Sequence, residues 1–255
     1  MNKVFIDELT ITEKVILSPV HTILNLRVNK ISTPISPGQF INIQIGYNNS
    51  KILRRPFSIF DIDPVQKTLS LFIKIIGSGS RFICNKAKGD KLDVIYPLGN
   101  GFSLSKNKNV LLVGGGFGVA PLYFLSKELI KRGNIINLLV GADSAKNIHL
   151  TDFFHQSIRI YITTDDGSQG EKGKVTDHNM LRNCNFDVIY TCGPMLMMKA
   201  IAAFAKLYNI SCEVSLDHLM ACGFGTCLCC VVKTTDGNLC TCTEGPVFNI
   251  SKLIW

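Results

Sequence analysis

Asn109-Val110-Leu111-Leu112-Val113-Gly114-Gly115-Gly116-Phe117-Gly118-Val119-Ala120-Pro121-Leu122-Tyr123-Phe124-Leu125-Ser126 is the longest uncharged run of the chain, and its reading decides the fold. It is apolar enough to raise the question of a membrane span. The clustered glycines and Pro121 argue instead for a buried strand, a tight loop and a helix start. Four apolar residues form the strand, and Pro121 suits the first turn of the helix. Leu122, Leu125, Leu129 and Ile130 then repeat at helical spacing, and Gly133 ends the helix. The same alternation continues, with strand candidates at residues 110–113, 135–140, 158–163 and 187–191 separated by helical segments. Residues 104–210 are therefore predicted to form a parallel α/β sheet domain.

Upstream, the period changes from helical to two. Val15-Ile16-Leu17, Thr22-Ile23-Leu24-Asn25-Leu26-Arg27-Val28, Phe40-Ile41-Asn42-Ile43-Gln44-Ile45 and Leu69-Ser70-Leu71-Phe72-Ile73-Lys74-Ile75 alternate or nearly so. Pro37-Gly38 and Tyr47-Asn48-Asn49-Ser50 punctuate them as turns. Short antiparallel strands at this spacing predict a small β-barrel over residues 1–103.

Downstream, residues 211–255 read as a small cysteine-rich module. Cys222-Gly223-Phe224-Gly225-Thr226-Cys227-Leu228-Cys229-Cys230 is followed by Cys242, and six of the ten cysteines fall within residues 222–242. Cys222, Cys227, Cys230 and Cys242 give C-x4-C-x2-C…C, the spacing of plant-type 2Fe–2S sites. Two sulfide-bridged irons need four thiolates, three of them from one tight loop. Gly223 and Gly225 allow the backbone to turn its N–H groups toward anionic sulfur. Zinc is the alternative, although it usually takes two C-x2-C pairs and only one is present. Disulfides would need an oxidising compartment. Cys229 and Cys240 fall outside the spacing and read as packing residues.

Composition bounds the rest. The chain has 255 residues, 46% hydrophobic and 18% charged, enough for two compact units and an appended module. The N-terminal Met1-Asn2-Lys3-Val4-Phe5-Ile6-Asp7-Glu8 lacks the apolar stretch of a signal peptide, so a reducing cytoplasm is expected. The net charge of +8 comes from scattered lysines without a basic run, which argues against nucleic acid and for anionic cofactors. No internal repeat or low-complexity tract is present.

Five further motifs carry chemistry. Arg54-Arg55-Pro56-Phe57-Ser58 offers a guanidinium fork and a hydroxyl beside an aromatic, suited to a diphosphate and a flat ring, or to a structural turn. Gly77-Ser78-Gly79-Ser80 is either a plain hairpin turn or a place where backbone N–H groups approach a pyrophosphate. The glycine loop at residues 114–121 sits between strand and helix as a nucleotide loop must, but Val119 stands where a third fingerprint glycine would be. Thr163-Thr164-Asp165-Asp166-Gly167-Ser168 and Thr191-Cys192-Gly193-Pro194-Met195 each follow a strand, at the carboxyl edge where open α/β sheets bind ligands.

In this order the motifs resemble the ferredoxin–NADP reductase superfamily, which pairs a flavin-binding barrel with a pyridine-nucleotide domain. The cysteine loop, with Cys242-Thr243-Glu244-Gly245-Pro246-Val247-Phe248, narrows the resemblance to electron-transfer subunits of NAD-linked (type B) dihydroorotate dehydrogenases. Pro97-Leu98-Gly99-Asn100-Gly101-Phe102 resembles that family too. The resemblance implies FAD held by Arg55, Pro56, Phe57 and Ser58, with Phe72, Ile73, Lys74, Gly79 and Ser80. It implies a nicotinamide dinucleotide facing Gly114, Gly115, Gly116, Gly118 and Ala120, with Cys192 as the catalytic-site residue near the nicotinamide. The 2Fe–2S cluster would be bound by Cys222, Cys227, Cys230 and Cys242. The implied partner is an FMN-containing catalytic subunit that oxidises dihydroorotate in pyrimidine biosynthesis, with two copies of each chain. Phe57 replaces a tyrosine common in the superfamily, and Cys229 replaces a small residue.

Asp143, after the second strand, would repel a 2′-phosphate and bond a ribose hydroxyl, which favours NAD over NADP, while Lys146 argues mildly the other way. The alternatives are a sulfide dehydrogenase or ferredoxin reductase subunit, whose ligand set can include an aspartate, and a zinc-stabilised binding module.

Overall fold

The computed structural model describes residues 4–28, 34–46, 52–183, 185–217 and 219–255, with Asn183 described by its backbone alone. The turn expected at Tyr47-Asn48-Asn49-Ser50 lies outside these residues. By compactness the chain divides into two units.

The first unit is a closed barrel. Its strands are β1 (Phe5–Ser18), β2 (His21–Arg27), β3 (Phe40–Ile43), β4 (Arg55–Asp63), β5 (Thr68–Lys74) and β6 (Lys91–Leu98). They close in the order β1-β2-β5-β4-β3-β6, antiparallel throughout. Alternation drives this, since every second side chain points inward. Leu24, Leu26, Ile41, Ile43, Ile59, Leu69 and Leu71 are wholly buried, each stabilising the fold by about 1.5–3 kcal/mol relative to exposure. The apolar run Val15-Ile16-Leu17 forms the far end of β1, where Ile16 pairs with Thr22. Between β5 and β6 lies helix α1 (Ser78–Cys84). The hairpin turn considered for Gly77-Ser78-Gly79-Ser80 is thus a helix start.

The second unit is a seven-stranded sheet. It contains β7 (Asn109–Gly115), β8 (Ile135–Ala142), β9 (Arg159–Thr164), β10 (Glu171–Lys172), β11 (Val188–Cys192) and β12 (Ser211–Ser215). Helix α2 (Ala120–Ile130) follows β7, and α3 (Met195–Leu207) follows β11. The C-terminal segment adds the hairpin strands β13 (Val231–Thr234) and β14 (Gly237–Cys240), and β15 (Val247–Asn249). The sheet order is β10-β9-β8-β7-β11-β12-β15, parallel except for β15. Val110, Leu111, Leu112 and Val113 of β7 are completely buried, the continuous apolar run that a central parallel strand requires. Asn109–Ser126 is therefore strand, loop and helix. Among the described residues no helix is long and apolar enough to cross a membrane.

Residues 211–255 are shared between the units: 219–232 and 238–246 belong with the barrel, and 211–217, 233–237 and 247–255 with the sheet. On the barrel, Phe40, Ile95 and Leu98 pack in one cluster with Cys230, Cys240 and Cys242, and Met220 and Val231 lie against it.

Candidate functional site

The cysteine loop, residues 219–230, sits on this cluster. Gly223 and Gly225 take φ of +80° and +88°, and Leu228 takes +56°. These left-handed turns direct the N–H groups of Phe224, Cys227 and Thr226 toward the Cys222 sulfur. Burial raises the Cys222 thiol, but those donors and the Cys227 side chain outweigh it and leave it at about 7. Burial also raises Cys230, and hydrogen bonds from Thr241, Cys242 and nearby backbone bring it below its ordinary value. Cys242 is pushed up to about 12 by burial and by Cys230, against a backbone N–H from Gly225.

Cys222 meets Cys227, and Cys230 meets both Cys242 and Cys240. Among the described residues no group of three or more His, Cys, Asp or Glu converges as a single ion would need. Four thiols from one loop and the segment after it are the ligand set that a two-iron centre takes. All nine described cysteines are free thiols. Cys229 is exposed. Cys240 is buried, and its N–H donates to the Glu244 carboxylate at 2.9 Å.

Neighbouring elements fix this segment. Thr241 donates to the Cys230 carbonyl from its N–H (3.0 Å) and its hydroxyl (3.1 Å). Asn100 donates to the carbonyls of Thr243 and Glu244, both at 3.0 Å. A Cβ on Gly99 would lie 2.6 Å from Pro246, so the turn after β6 seats the Gly245-Pro246 tail directly. Asn42 of β3 donates to the Cys222 carbonyl at 2.9 Å. Sequence reasoning missed Asn42, whose one signal was an amide in an otherwise apolar strand.

On the barrel, Arg55, Pro56 and Phe57 are half-buried and Ser58 is exposed. The Arg55 guanidinium donates to the carbonyls of Leu53 (2.9 Å) and Arg54 (3.2 Å). Arg54 is structural, ion-paired to Asp93 at 2.8 Å. Phe72 stacks on His21, with centroids 5.6 Å apart and rings 4° from parallel, and contacts Phe60. Ile73 is buried and Lys74 half-buried. Gly79 packs so tightly that a Cβ would lie 2.6 Å from Ile45 and 3.3 Å from Arg55. The Ser80 hydroxyl accepts from the N–H of Ile76 (3.0 Å) and Gly77 (3.2 Å) and donates to the Gly77 carbonyl. Its hydrogen bonding serves the start of α1.

In the second unit the glycine loop and Cys192 come together at the carboxyl edge. Gly116 has φ of +54°. A Cβ on Gly118 would lie 2.5 Å from the Cys192 carbonyl oxygen and 2.6 Å from Gly193 Cα. Gly114 and Gly115 are packed against Val119 and Pro194, and Ala120 opens α2. Burial pushes the Cys192 thiol up to about 12, with Asp217 adding and Ser215 opposing, so it stays protonated. Asp143 is exposed and tied into its own loop, accepting from the Ser144 N–H (2.9 Å) and Asn147 (2.5 Å). The Asn147 hydrogen bond is the main reason its carboxyl lies below the usual range. Ser168 accepts from the Ala145 N–H at 2.8 Å and donates to Asp166 at 2.6 Å, joining the two edge loops.

A closed antiparallel barrel, a parallel sheet with a glycine loop at its carboxyl edge, and a cysteine-rich C-terminal segment define a ferredoxin–NADP reductase-type fold with an appended iron–sulfur domain. Residues 217–254 match the family model for the iron–sulfur cluster binding domain of dihydroorotate dehydrogenase B. The chain is 37% identical to a Fusobacterium nucleatum protein named dihydroorotate dehydrogenase B (NAD(+)), electron transfer subunit, covering 97% of this chain and 98% of that one. It is 36% identical to the Shouchella clausii protein of the same name, over 86% of each chain. The chain belongs to the family of electron transfer subunits of dihydroorotate dehydrogenase B.

Among solved structures, it resembles a chain of an NADH-dependent reduced ferredoxin-NADP oxidoreductase, described in connection with flavin-based electron bifurcation. The TM-score is 0.86 at 32% identity, covering 97% of this chain and 90% of that one. The cytochrome b5 reductase domain of Ulva prolifera nitrate reductase shares the fold at 17% identity, with a TM-score of 0.68, covering 81% of this chain and 94% of that one.

Proposed function

We propose that this chain receives electrons from an FMN-containing catalytic subunit that oxidises dihydroorotate, and delivers them to NAD. As in the family resemblance, two copies of each chain would form the assembly, acting in pyrimidine biosynthesis in a reducing cytoplasm. When bound, FAD and a 2Fe–2S cluster supply the conversion between hydride and single-electron transfer. The observation that carries this reading is the convergence of three loop N–H groups on the Cys222 sulfur, in the same compact unit that bears the Arg55-Pro56-Phe57-Ser58 strand.

This chain's residues then have distinct tasks. Cys222, Cys227, Cys230 and Cys242 would hold the cluster, and the N–H groups turned toward Cys222 offset its negative charge. Arg55 and Ser58 would meet the flavin's diphosphate side, while Pro56, Phe57, Phe72, Ile73 and Lys74 form strand surface for the ring. Gly79, with Arg55 packed against its backbone, would stand at the pyrophosphate, and Ser80 orders the turn that presents it. Gly114, Gly115, Gly116, Gly118 and Ala120 would receive the dinucleotide, and protonated Cys192 would bound the nicotinamide position without adding charge. Asp143, fixed as a carboxylate, favours a ribose hydroxyl over a 2′-phosphate. The sequence divisions 1–103, 104–210 and 211–255 would correspond to FAD, NAD and cluster functions. Exposed Phe224 and Leu228 on the cysteine loop offer the catalytic subunit an apolar contact.

Iron, zinc and flavin quantified on one anaerobically purified sample test the reading. Two irons and one flavin per chain are expected. Zinc without iron would overturn it in favour of a zinc-stabilised binding module. A second reading, a subunit of a ferredoxin–NADP oxidoreductase, is favoured by the likeness of the solved structure at 32% identity. It predicts electron exchange with ferredoxin in place of a dihydroorotate-oxidising partner.

A further inference from the structure

β3 has two faces with different duties. Ile41 and Ile43 are wholly buried, and strand alternation sets them opposite Phe40 and Asn42. Phe40 packs in the cluster with Cys230, Cys240 and Cys242, which shows that its face is the one the cysteine segment covers. Asn42 shares that face and is also fully buried, where an aliphatic residue would satisfy the barrel at least as well. Its Nδ2 donates to the Cys222 carbonyl at 2.9 Å, and its Oδ1 is buried without a hydrogen-bond partner among the described residues. Leaving a buried amide oxygen unpaired is unfavourable, so the donor bond must matter enough to keep the amide there.

The opposing residue is matched to it. A Cβ on Gly223 would lie 2.5 Å from Asn42 Nδ2 and 3.3 Å from its Cγ. Only glycine lets the amide reach past residue 223 to the carbonyl of 222. On the other side of β3, Asn42 is the direct register partner of Pro56, within Arg55-Pro56-Phe57-Ser58. One side chain therefore ties the first cysteine of the loop to a strand whose ladder partner carries the flavin motif.

We propose that Asn42 is a positioning residue for electron transfer, fixing Cys222 against the β3–β4 strand pair so that cluster and flavin keep one separation and orientation. This rests on the cofactor assignment given above. Asn42 touches neither group's reacting atoms; it acts through the backbone of Cys222, as outer-shell partners of metal ligands do.

The test uses the full-length chain purified anaerobically, as wild type, Asn42→Asp and Asn42→Leu. Both variants keep the number of side-chain heavy atoms and remove the donor. The readouts are flavin and iron content, the electron paramagnetic resonance spectrum of the reduced cluster, the rate of iron release to a chelator, and rapid-mixing kinetics with NADH. Flavin content and the first phase, flavin bleaching by NADH, should match wild type in both variants. The resonance spectrum should shift, and iron release should accelerate by about 10–100-fold. The second phase, cluster reduction, should slow. Variants with wild-type spectra, iron release and second phase would overturn the assignment, even with a lowered melting temperature, because that pattern belongs to a merely structural asparagine. A wild-type protein without flavin and iron would instead overturn the cofactor reading on which the assignment depends.

Discussion

Glycines cluster beside cysteines in two places, after β7 and after β12, and the backbone asks different things of them. Gly114, Gly115 and Gly118 have no positive φ; they are glycine because a Cβ would meet Val119, Pro194, or the Cys192 carbonyl and Gly193. Of that loop only Gly116 needs the left-handed region, and it has open space around it. Gly223 and Gly225 combine both demands, with φ of +80° and +88° and close neighbours in Asn42 and Thr243. The first loop is shaped by what packs against three of its glycines. The second is wound so that N–H groups converge on a sulfur. A dinucleotide needs close backbone approach; a cluster of thiolates needs donors brought round from several residues.

Removing the cluster ligands proposed above should have the largest effect. Cys230→Ser combined with Cys242→Ser should abolish iron binding while flavin content and its bleaching by NADH persist, as metal analysis and stopped-flow absorbance would reveal. Iron retained at wild-type level would end this ligand assignment.

Gly118→Ala attacks the first loop alone. The added methyl meets backbone atoms that cannot swing aside, and a displacement of this size at the proposed hydride-transfer site would cost about 100-fold in rate. NADH-driven flavin bleaching should slow accordingly with the cluster's resonance spectrum unchanged. Gly225→Ala is the mirror experiment. Its left-handed backbone and the Thr243 methyl at 2.8 Å make the change costly, by about 1–2 kcal/mol for the backbone alone. Iron release to a chelator should quicken while NADH bleaching stays as in wild type.

Leu228 sharpens the contrast, because it is an exposed leucine held at φ +56° without any glycine's licence. Leu228→Gly should stabilise the loop by about 1 kcal/mol. If the apolar side chain is there for the catalytic subunit, affinity for that subunit should fall at the same time, measured by calorimetry.

The smallest effects concern thiols outside the proposed cluster. Cys192 and Cys212 are pushed by burial from the ordinary 9.0 up to about 12. A thiol whose folded pKa is raised contributes stability that is whole below pH 9 and is lost as pH rises toward 12, where the unfolded chain ionises first. Melting temperature should therefore decline above pH 9. At pH 8 an alkylating reagent should label exposed Cys229 and spare both buried thiols, as mass spectrometry would register.

Much of this was legible in the sequence because it is local. The apolar run at 110–113, the loop glycines and Pro121 announce strand, turn and helix within a dozen residues. The cysteine spacing likewise carries its chemistry in one loop. Helix α1 was missed because Gly77-Ser78-Gly79-Ser80 is turn-like in composition; its start depends on the Ser80 hydroxyl folding back onto the N–H groups of Ile76 and Gly77. That β15 would close the sheet as an antiparallel edge strand, taking part of the cysteine-rich segment with it, depends on pairing with β12 across the whole cysteine loop. Asn42 was invisible for the same reason, since its partner Cys222 stands 180 positions away.

One measurement bears most directly on the central claim, that this chain converts between hydride and single-electron transfer. Anaerobic protein mixed rapidly with NADH, followed by flavin absorbance and by the resonance signal of freeze-quenched samples, resolves the two events in one experiment. The account predicts flavin bleaching first, then the signal of a reduced two-iron cluster, with NADPH markedly slower than NADH. Flavin that bleaches while no iron–sulfur signal follows would contradict it, leaving a flavin reductase whose cysteine loop carries no current.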